Sequence, residues 1–308
     1  MSPKVDSTSM TTHSPSRIAI VIASTGRPVE LGRWSDHARR QTLPPSALVY
    51  AVAKPADLPR CSDLQGAVAV VASVPGLPIQ RNAGLEAVIR SNDIIAYFDD
   101  DYVPSSYCVE GIDHFFRMHP DVAAANGMLL ADGINSAGIP YEEATELVSR
   151  HDNRQRAQGV VLHELNGLYG CNMVFRAKAI GEERFDEQLP LYAWQEDIDF
   201  SARVGRHGRL VKTNAFHGVH QGMKGARLSG IRLGYSQVVN PIYLVRKGTL
   251  PAKDATKLML KNILMNHAKA PFPEPWIDRL GRCRGNWLAL FDVLTGRDHP
   301  KRILTLPR

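Results

Sequence analysis

The sequence predicts an α/β protein: a layered, mostly parallel central sheet with flanking helices, extended by helices at the C-terminal end. Three observations carry this. Apolar β-forming runs alternate with helix-like segments from residue 18 to residue 101, the pattern that builds a parallel sheet. One of those runs, Asp93-Ile94-Ile95-Ala96-Tyr97-Phe98, stops abruptly at Asp99, Asp100 and Asp101, and ligands of open α/β sheets bind beyond the carboxyl ends of the strands. Past residue 234 the apolar spacing turns helical, with three stretches of that kind.

In chain order, residues 1–16 hold Ser, Thr, Pro and Lys with almost nothing to bury and read as a disordered leader. Residues 18–23 are the first strand, followed by the turn Ser24-Thr25-Gly26-Arg27-Pro28. Arg27 offers a positive fork for phosphate or for a nearby acid. A helix over Val29–Arg40 ends before Leu43-Pro44-Pro45, since proline lacks the amide hydrogen and restricts its predecessor. Ala47–Ala53 is the second strand. Asp57 follows it, placed either to accept hydrogen bonds from a base or ribose or simply to face solvent in a turn. Val68–Val74 is the third strand. The next helix begins near Ile79 and carries Arg81 and Asn82 in its first turn, where free amides favour an anion. Gly84 inside it costs about 1 kcal/mol against alanine, so close packing on the sheet or on a ligand is expected there.

After the acidic strand, a helix is predicted near Ser105–Met118 and a strand over Val122–Leu130. Residues 132–168 are less regular and strongly charged, either a mobile flap or an exposed helix. Strand character returns at Leu168–Arg176, where Gly170 lets backbone approach a sugar and Asn172 offers both donor and acceptor. Cys171 has no local histidine and reads as a buried thiol. A helix over Glu196–His207 opens with Glu196, Asp197 and Asp199. Residues 209–216 form a short strand leading to His217 and His220. Three tail helices are expected at Tyr235–Lys247, Ala252–Ala268 and roughly Gly285–Leu294. The chain thus divides into the leader (1–16), a first α/β half (17–103), a second half (104–234) and a helical extension (235–308).

The 308 residues are 44% apolar and carry a formal charge of +6. Such mild basicity fits an anionic substrate or an acidic membrane surface. Cys61, Cys108, Cys171 and Cys283 lie too far apart for a zinc finger or a small disulfide scaffold. No signal-like segment and no apolar run of roughly 20 residues is present, so a cytoplasmic protein, soluble or peripheral at the inner membrane face, is expected. No basic groove with aromatic platforms points to nucleic acid. The tail helices pack on the catalytic domain by default, with a basic membrane contact or a homodimer surface as alternatives.

Two acidic centres carry the candidate chemistry. Asp99, Asp100 and Asp101 suit Mg2+ or Mn2+ held together with substrate phosphates, or else form a solvated cap. Glu196, Asp197 and Asp199 either stabilise a helix N-terminus or supply a base that deprotonates a hydroxyl. His217 or His220 completes a metal shell or meets phosphate oxygens, and Lys224 and Arg227 sit on a glycine-rich loop able to close over a diphosphate.

In this order the motifs resemble inverting family 2 glycosyltransferases, whose fold is called GT-A, over approximately residues 17–247. The motifs are Ser24-Thr25-Gly26-Arg27-Pro28, Gln41-Thr42-Leu43-Pro44-Pro45, Arg81-Asn82-Ala83-Gly84, Phe98-Asp99-Asp100-Asp101, Gly170-Cys171-Asn172-Met173 and Trp194-Gln195-Glu196-Asp197. The resemblance implies a nucleoside diphosphate sugar donor, with Thr25, Arg27, Arg81, Asn82 and Asn172 at the donor site and Asp57 as a counterpart of the base-recognition acid. It implies Asp101 as metal ligand, Asp99 on ribose or sugar, Asp100 shaping the loop, and Lys224 near the diphosphate. It implies Asp197 as general base with Glu196 orienting it or binding acceptor, and His217 or His220 as the late histidine. The acceptor is a hydroxyl on a glycan, a lipid-linked sugar or a small molecule. The rivals are a nucleotidyltransferase, which would release pyrophosphate, and a non-catalytic sugar-nucleotide-binding protein.

Overall fold

The structure, a computed structural model, describes residues 14–64, 66–72, 74–153, 159–224 and 229–307. Most of the expected leader and Arg227 lie outside the described residues. The strands are β1 (Ile18–Ser24), β2 (Ala47–Val52), β3 (Val68–Val71), β4 (Ile94–Asp99), β5 (Tyr102–Pro104), β6 (Val122–Asp132), β7 (Val161–Glu164), β8 (Asn172–Arg176) and β9 (Arg209–His220). They form one nine-stranded sheet in the order β3-β2-β1-β4-β8-β6-β9-β5, with β7 also paired to β9. From β3 to β4 every pairing is parallel. β8 then runs antiparallel between β4 and β6, and β6 with β9 is parallel again.

The helices are α1 (Pro28–Arg39), α2 (Cys61–Leu64), α3 (Leu77–Glu86), α4 (Cys108–Met118), α5 (Tyr141–Asp152), α6 (Ala177–Ile180), α7 (Glu196–Val204), α8 (Gly230–Lys247), α9 (Ala252–Lys269) and α10 (Arg279–Leu294). Strand alternation sorts the core into two layers. Ile18, Ile20 and Ile22 pack with Leu31 and Trp34 of α1 and with Ile112, Phe115 and Phe116 of α4. Ala19 and Val21 pack on the other face with Leu85 of α3 and Phe200 and Val204 of α7. Gly84 is the reason α3 lies so close: a Cβ there would sit 2.5 Å from Val21 Cγ1.

Several expectations change. β9 continues through His217 to His220 instead of ending at residue 216, because its last residues pair with β5 as well as β6. Within 132–168 the charged stretch is helix α5, which buries Ala144 and Val148 against Val103 and Val219. α4 starts at Cys108, after Ser105 and Ser106 turn to bond Asp152. α10 starts at Arg279, six residues early, since the Asp278 side chain accepts the Gly281 amide at 2.7 Å and caps it.

The helical extension packs through Tyr235, Val238, Val239, Ala289 and Ile303. It is tied to the sheet domain by Lys247 and Thr249, each 2.8 Å from Asp199, and by Asn240 donating to the Trp194 carbonyl. Among the described residues no helix is long and apolar enough to cross a membrane. All four cysteines are free, and Cys171 is buried.

Candidate active site

The carboxyl ends of β1, β2 and β4 lie side by side because those strands run parallel in register. The amino end of β8 meets β4 there, with Asn172 opposite Phe98. β9 delivers its last residue, His220, opposite Tyr102 of β5 and Asp132 of β6. One edge of the sheet therefore collects both acidic centres.

The three consecutive carboxylates have three different settings. Asp100 is buried, accepting from Ser24 Oγ at 2.6 Å and Arg27 at 2.7 Å. Burial, with Arg27 opposing, pushes it up to about 7. Asp101 is buried too. Its Oδ2 accepts the Met223 amide at 2.7 Å and lies 3.5 Å from Arg27, and its Oδ1 lies 3.5 Å from His220 Nε2. Burial works to raise this group, but His220, Arg27 and the Met223 amide outweigh it and hold it below the usual carboxylate range. Asp99 is half-buried, and its Oδ2 is 3.8 Å from His220 Nε2.

Asp99, Asp101 and His220 bring one ligand atom each within 4.8 Å of one another. His220 Nδ1 lies 2.8 Å from Asp132 Oδ1 and 3.3 Å from the Tyr169 hydroxyl. An imidazole whose Nδ1 hydrogen goes to a carboxylate presents its Nε2 to a cation in a fixed orientation. Burial would lower the His220 imidazole, yet Asp101, Asp132 and Asp99 pull it up to about 10, so without a cation it is itself the counter-charge. Two carboxylates and one imidazole suit Mn2+, and Mg2+ with less imidazole preference. Asp132 and Tyr169 were not foreseen, since nothing local in sequence marks them; they are set by the pairing of β6 with β9 and by the turn into β8.

Arg81 joins the two acidic centres. Its guanidinium bonds Glu196, lies 3.3 Å from Asp99 Oδ1 and donates to the Gly170 carbonyl at 3.2 Å. Glu196 is buried, and burial, against the pull of Arg81, pushes its carboxyl up to about 8. Asp197 accepts the Gly170 amide at 2.8 Å on one oxygen and the Ile198 amide at 2.9 Å on the other. Burial also raises Asp197, again opposed by Arg81. A Cβ on Gly170 would stand 3.1 Å from Asp197 Oδ2 and 3.5 Å from Arg81, so only glycine leaves this corner its full width. The loop that delivers α7 has positive φ at Leu191, Ala193 and Gln195, three strained non-glycine residues of the kind that cluster at functional sites.

Asp199, by contrast, is wholly buried among Arg203, Lys247 and Thr249; it anchors the extension. Asp57 is buried in the turn just beyond the carboxyl end of β2. Its Oδ1 accepts the Gly26 amide at 3.0 Å, and its Oδ2 has no partner among the described residues. Thr25 bonds Gln80, and Lys224 is held on the carbonyls of Gly133 and Ile134 at 2.9 Å each.

Three residues expected at the site are turned elsewhere. Asn82 pairs with the backbone of Phe185 and with Glu187, pinning that loop. Asn172 is buried against Asn126 and the Gly127 carbonyl. His217 faces Asp152 at 2.8 Å, because three residues along a strand reverse the side of the sheet from His220.

No protein-family model matches the sequence, and no curated protein matches it. Solved structures do match. S. aureus TarS 1-349 is 10% identical, with 93% of this chain and 82% of that chain covered and a TM-score of 0.53. Its complex with UDP-GlcNAc gives 13%, 93%, 82% and 0.54. The mannosyltransferase PcManGT from Pyrobaculum calidifontis, in complex with GDP-Man and Mn2+, gives 13%, 95%, 79% and 0.47. The fold is GT-A.

Proposed function

We propose that this chain is a metal-dependent inverting glycosyltransferase of the family 2 kind, moving a sugar from a nucleoside diphosphate sugar to an acceptor hydroxyl. The observation that carries this is Arg81, which bonds both Asp99 and Glu196 and so stands between the cation-type cluster and the start of the helix that carries Asp197. The unpartnered Asp57 Oδ2 is an acceptor for a base N–H, since a buried acceptor gains most from a matched donor. Arg27, beside Asp100 and Asp101, turns to the donor diphosphate, and Lys224 reinforces it.

Asp99, Asp101 and His220 would hold Mg2+ or Mn2+. Held there, the ion would supply Lewis-acid stabilisation of the negative charge that develops on the departing diphosphate. Asp197 takes the acceptor proton as the oxygen attacks the anomeric carbon. Its two backbone amides fix the direction of its free lone pairs, and the raised affinity for a proton makes it a stronger base than an exposed aspartate. Glu196 holds Arg81 in place. Attack opposite the leaving group inverts the anomeric centre.

An anionic membrane surface is the partner proposed for the tail. Residues 235–308 hold 13 Lys and Arg against 5 Asp and Glu, a formal +8, while the remaining chain holds 24 against 26, a formal −2. Leu280, Trp287, Phe291 and Leu294 recur at helical spacing on α10 and are exposed, as is Phe272 at 91%. Exposed aromatics beside basic residues favour the interface of an anionic bilayer. Co-sedimentation with phosphatidylserine vesicles, lost in Trp287→Ser with Phe291→Ser, supports this; equal recovery with uncharged vesicles argues against it.

The function is tested by incubating the protein with Mn2+ and a panel of sugar nucleotides and measuring nucleoside diphosphate release. Release from one donor class, abolished by chelation, is expected. Pyrophosphate as the product, or donor binding without any turnover across acceptors, overturns it.

A further inference from the structure

We propose that His151, Asp152 and His217 form a second divalent-cation site, of the zinc class, on the face of β9 turned away from His220. Their ligand atoms lie within 4.8 Å of one another. His151 and Asp152 close α5, and His217 meets them from β9. His217 Nε2 lies 2.8 Å from Asp152 Oδ1, and the two imidazole rings are 4.2 Å apart.

A simple imidazole–carboxylate pair explains Asp152 with His217 but not the rest. His217 is only 2% exposed, yet its Nδ1 has no partner among the described residues, and neither does the buried Nδ1 of His151. Two ring nitrogens without partners, on adjacent imidazoles, are costly to bury. A cation would take the unpartnered His151 nitrogen together with the His217 Nε2 that already faces Asp152 Oδ1. Asp152 is itself fixed from behind: Ser105 Oγ reaches its Oδ1 at 2.7 Å, and the Ser106 amide and hydroxyl reach its Oδ2 at 3.1 and 3.0 Å. That outer ring of donors is what orients a metal-binding carboxylate.

Two imidazoles with one carboxylate form a ligand set that zinc uses, and divalent affinity at nitrogen ligands rises from manganese toward zinc. This distinguishes the site from the oxygen-richer Asp99–Asp101–His220 cluster. The cation would clamp the end of α5 to β9 three residues from His220, and to the Ser105–Ser106 turn ahead of α4. Its role is therefore to brace the strand that presents His220, and the site stands whether or not the chain transfers sugars.

The test uses the full chain stripped with a chelator, then titrated with Zn2+ against a chromogenic competitor while thermal melting is followed. One zinc bound tighter than roughly 1 μM is expected, with a raised melting temperature that equal Mn2+ does not reproduce. His151→Gln, at a half-buried helix end, should melt like the stripped wild type and hold zinc roughly 10–100-fold more weakly. Asp101→Ala, checked for folding by circular dichroism, should retain the zinc. No zinc uptake by the wild type, uptake unchanged in His151→Gln, or uptake lost through Asp101→Ala alone would overturn the proposal.

Discussion

At the end of β4 three carboxylates follow one another, and at the start of α7 three more fall within four residues. In each set the fold gives the members separate tasks. At β4, Asp100 is fixed by Ser24 and Arg27, Asp101 by Met223, while Asp99 stays half-buried beside Arg81. At α7, Glu196 is paired with Arg81, Asp199 is locked under Lys247, and Asp197 sits on two backbone amides. The difference lies in what surrounds them: the first set gathers an imidazole and open oxygens, the second a guanidinium and amides.

The sharpest way to break this comparison is to neutralise two aspartates two residues apart. Asp197→Asn should lower kcat by roughly 10²–10⁴-fold with the protein folded. Asp199→Asn should leave kcat of the folded enzyme near wild type and cost about 3 kcal/mol of stability, because Lys247 and Arg203 lose a buried partner. Steady-state kinetics with denaturant melts of both variants checks this; matching kinetic losses would erase the distinction.

A smaller effect is expected from Gly170→Ala. Its Cβ would press on Asp197 and Arg81 and shift the base by a fraction of an ångström, which should cost roughly tenfold in kcat with donor affinity little changed. Loss of donor affinity alone would mean Gly170 serves the nucleotide instead.

The smallest effect is one of pH. Asp197 binds its proton more tightly than an ordinary aspartate because burial disfavours the charged form. As the proposed base, Asp197 would act only when ionised, so activity should fall as pH drops through a midpoint above the usual value of about 4. A kcat–pH profile flat down to that value would contradict the role.

Both acidic centres were legible because each interrupts an apolar pattern: β4 is wholly apolar up to Asp99, and α7 packs Phe200 and Val204 behind its carboxylates. The α/β layering was legible from strand alternation for the same reason. What was not legible depends on strands distant in sequence. The apolar residues of 209–216 gave no sign that pairing carries β9 on to His220, yet with the strand extended, the three-residue spacing of His217 and His220 is itself the signal that they face opposite ways. Asn82 reads as a helix-start ligand, and only the loop at Phe185, a hundred residues on, accounts for it. Asp132 reaches His220 solely through the register of β6.

The most direct measurement is calorimetric binding of a nucleoside diphosphate sugar, with and without Mn2+, to Asp101→Ala and Asp197→Asn. If one cluster holds the cation and the other accepts the proton, Asp101→Ala loses the Mn2+-dependent part of binding and Asp197→Asn keeps it. Equal loss in both variants, or Mn2+ dependence intact in Asp101→Ala, would contradict that division.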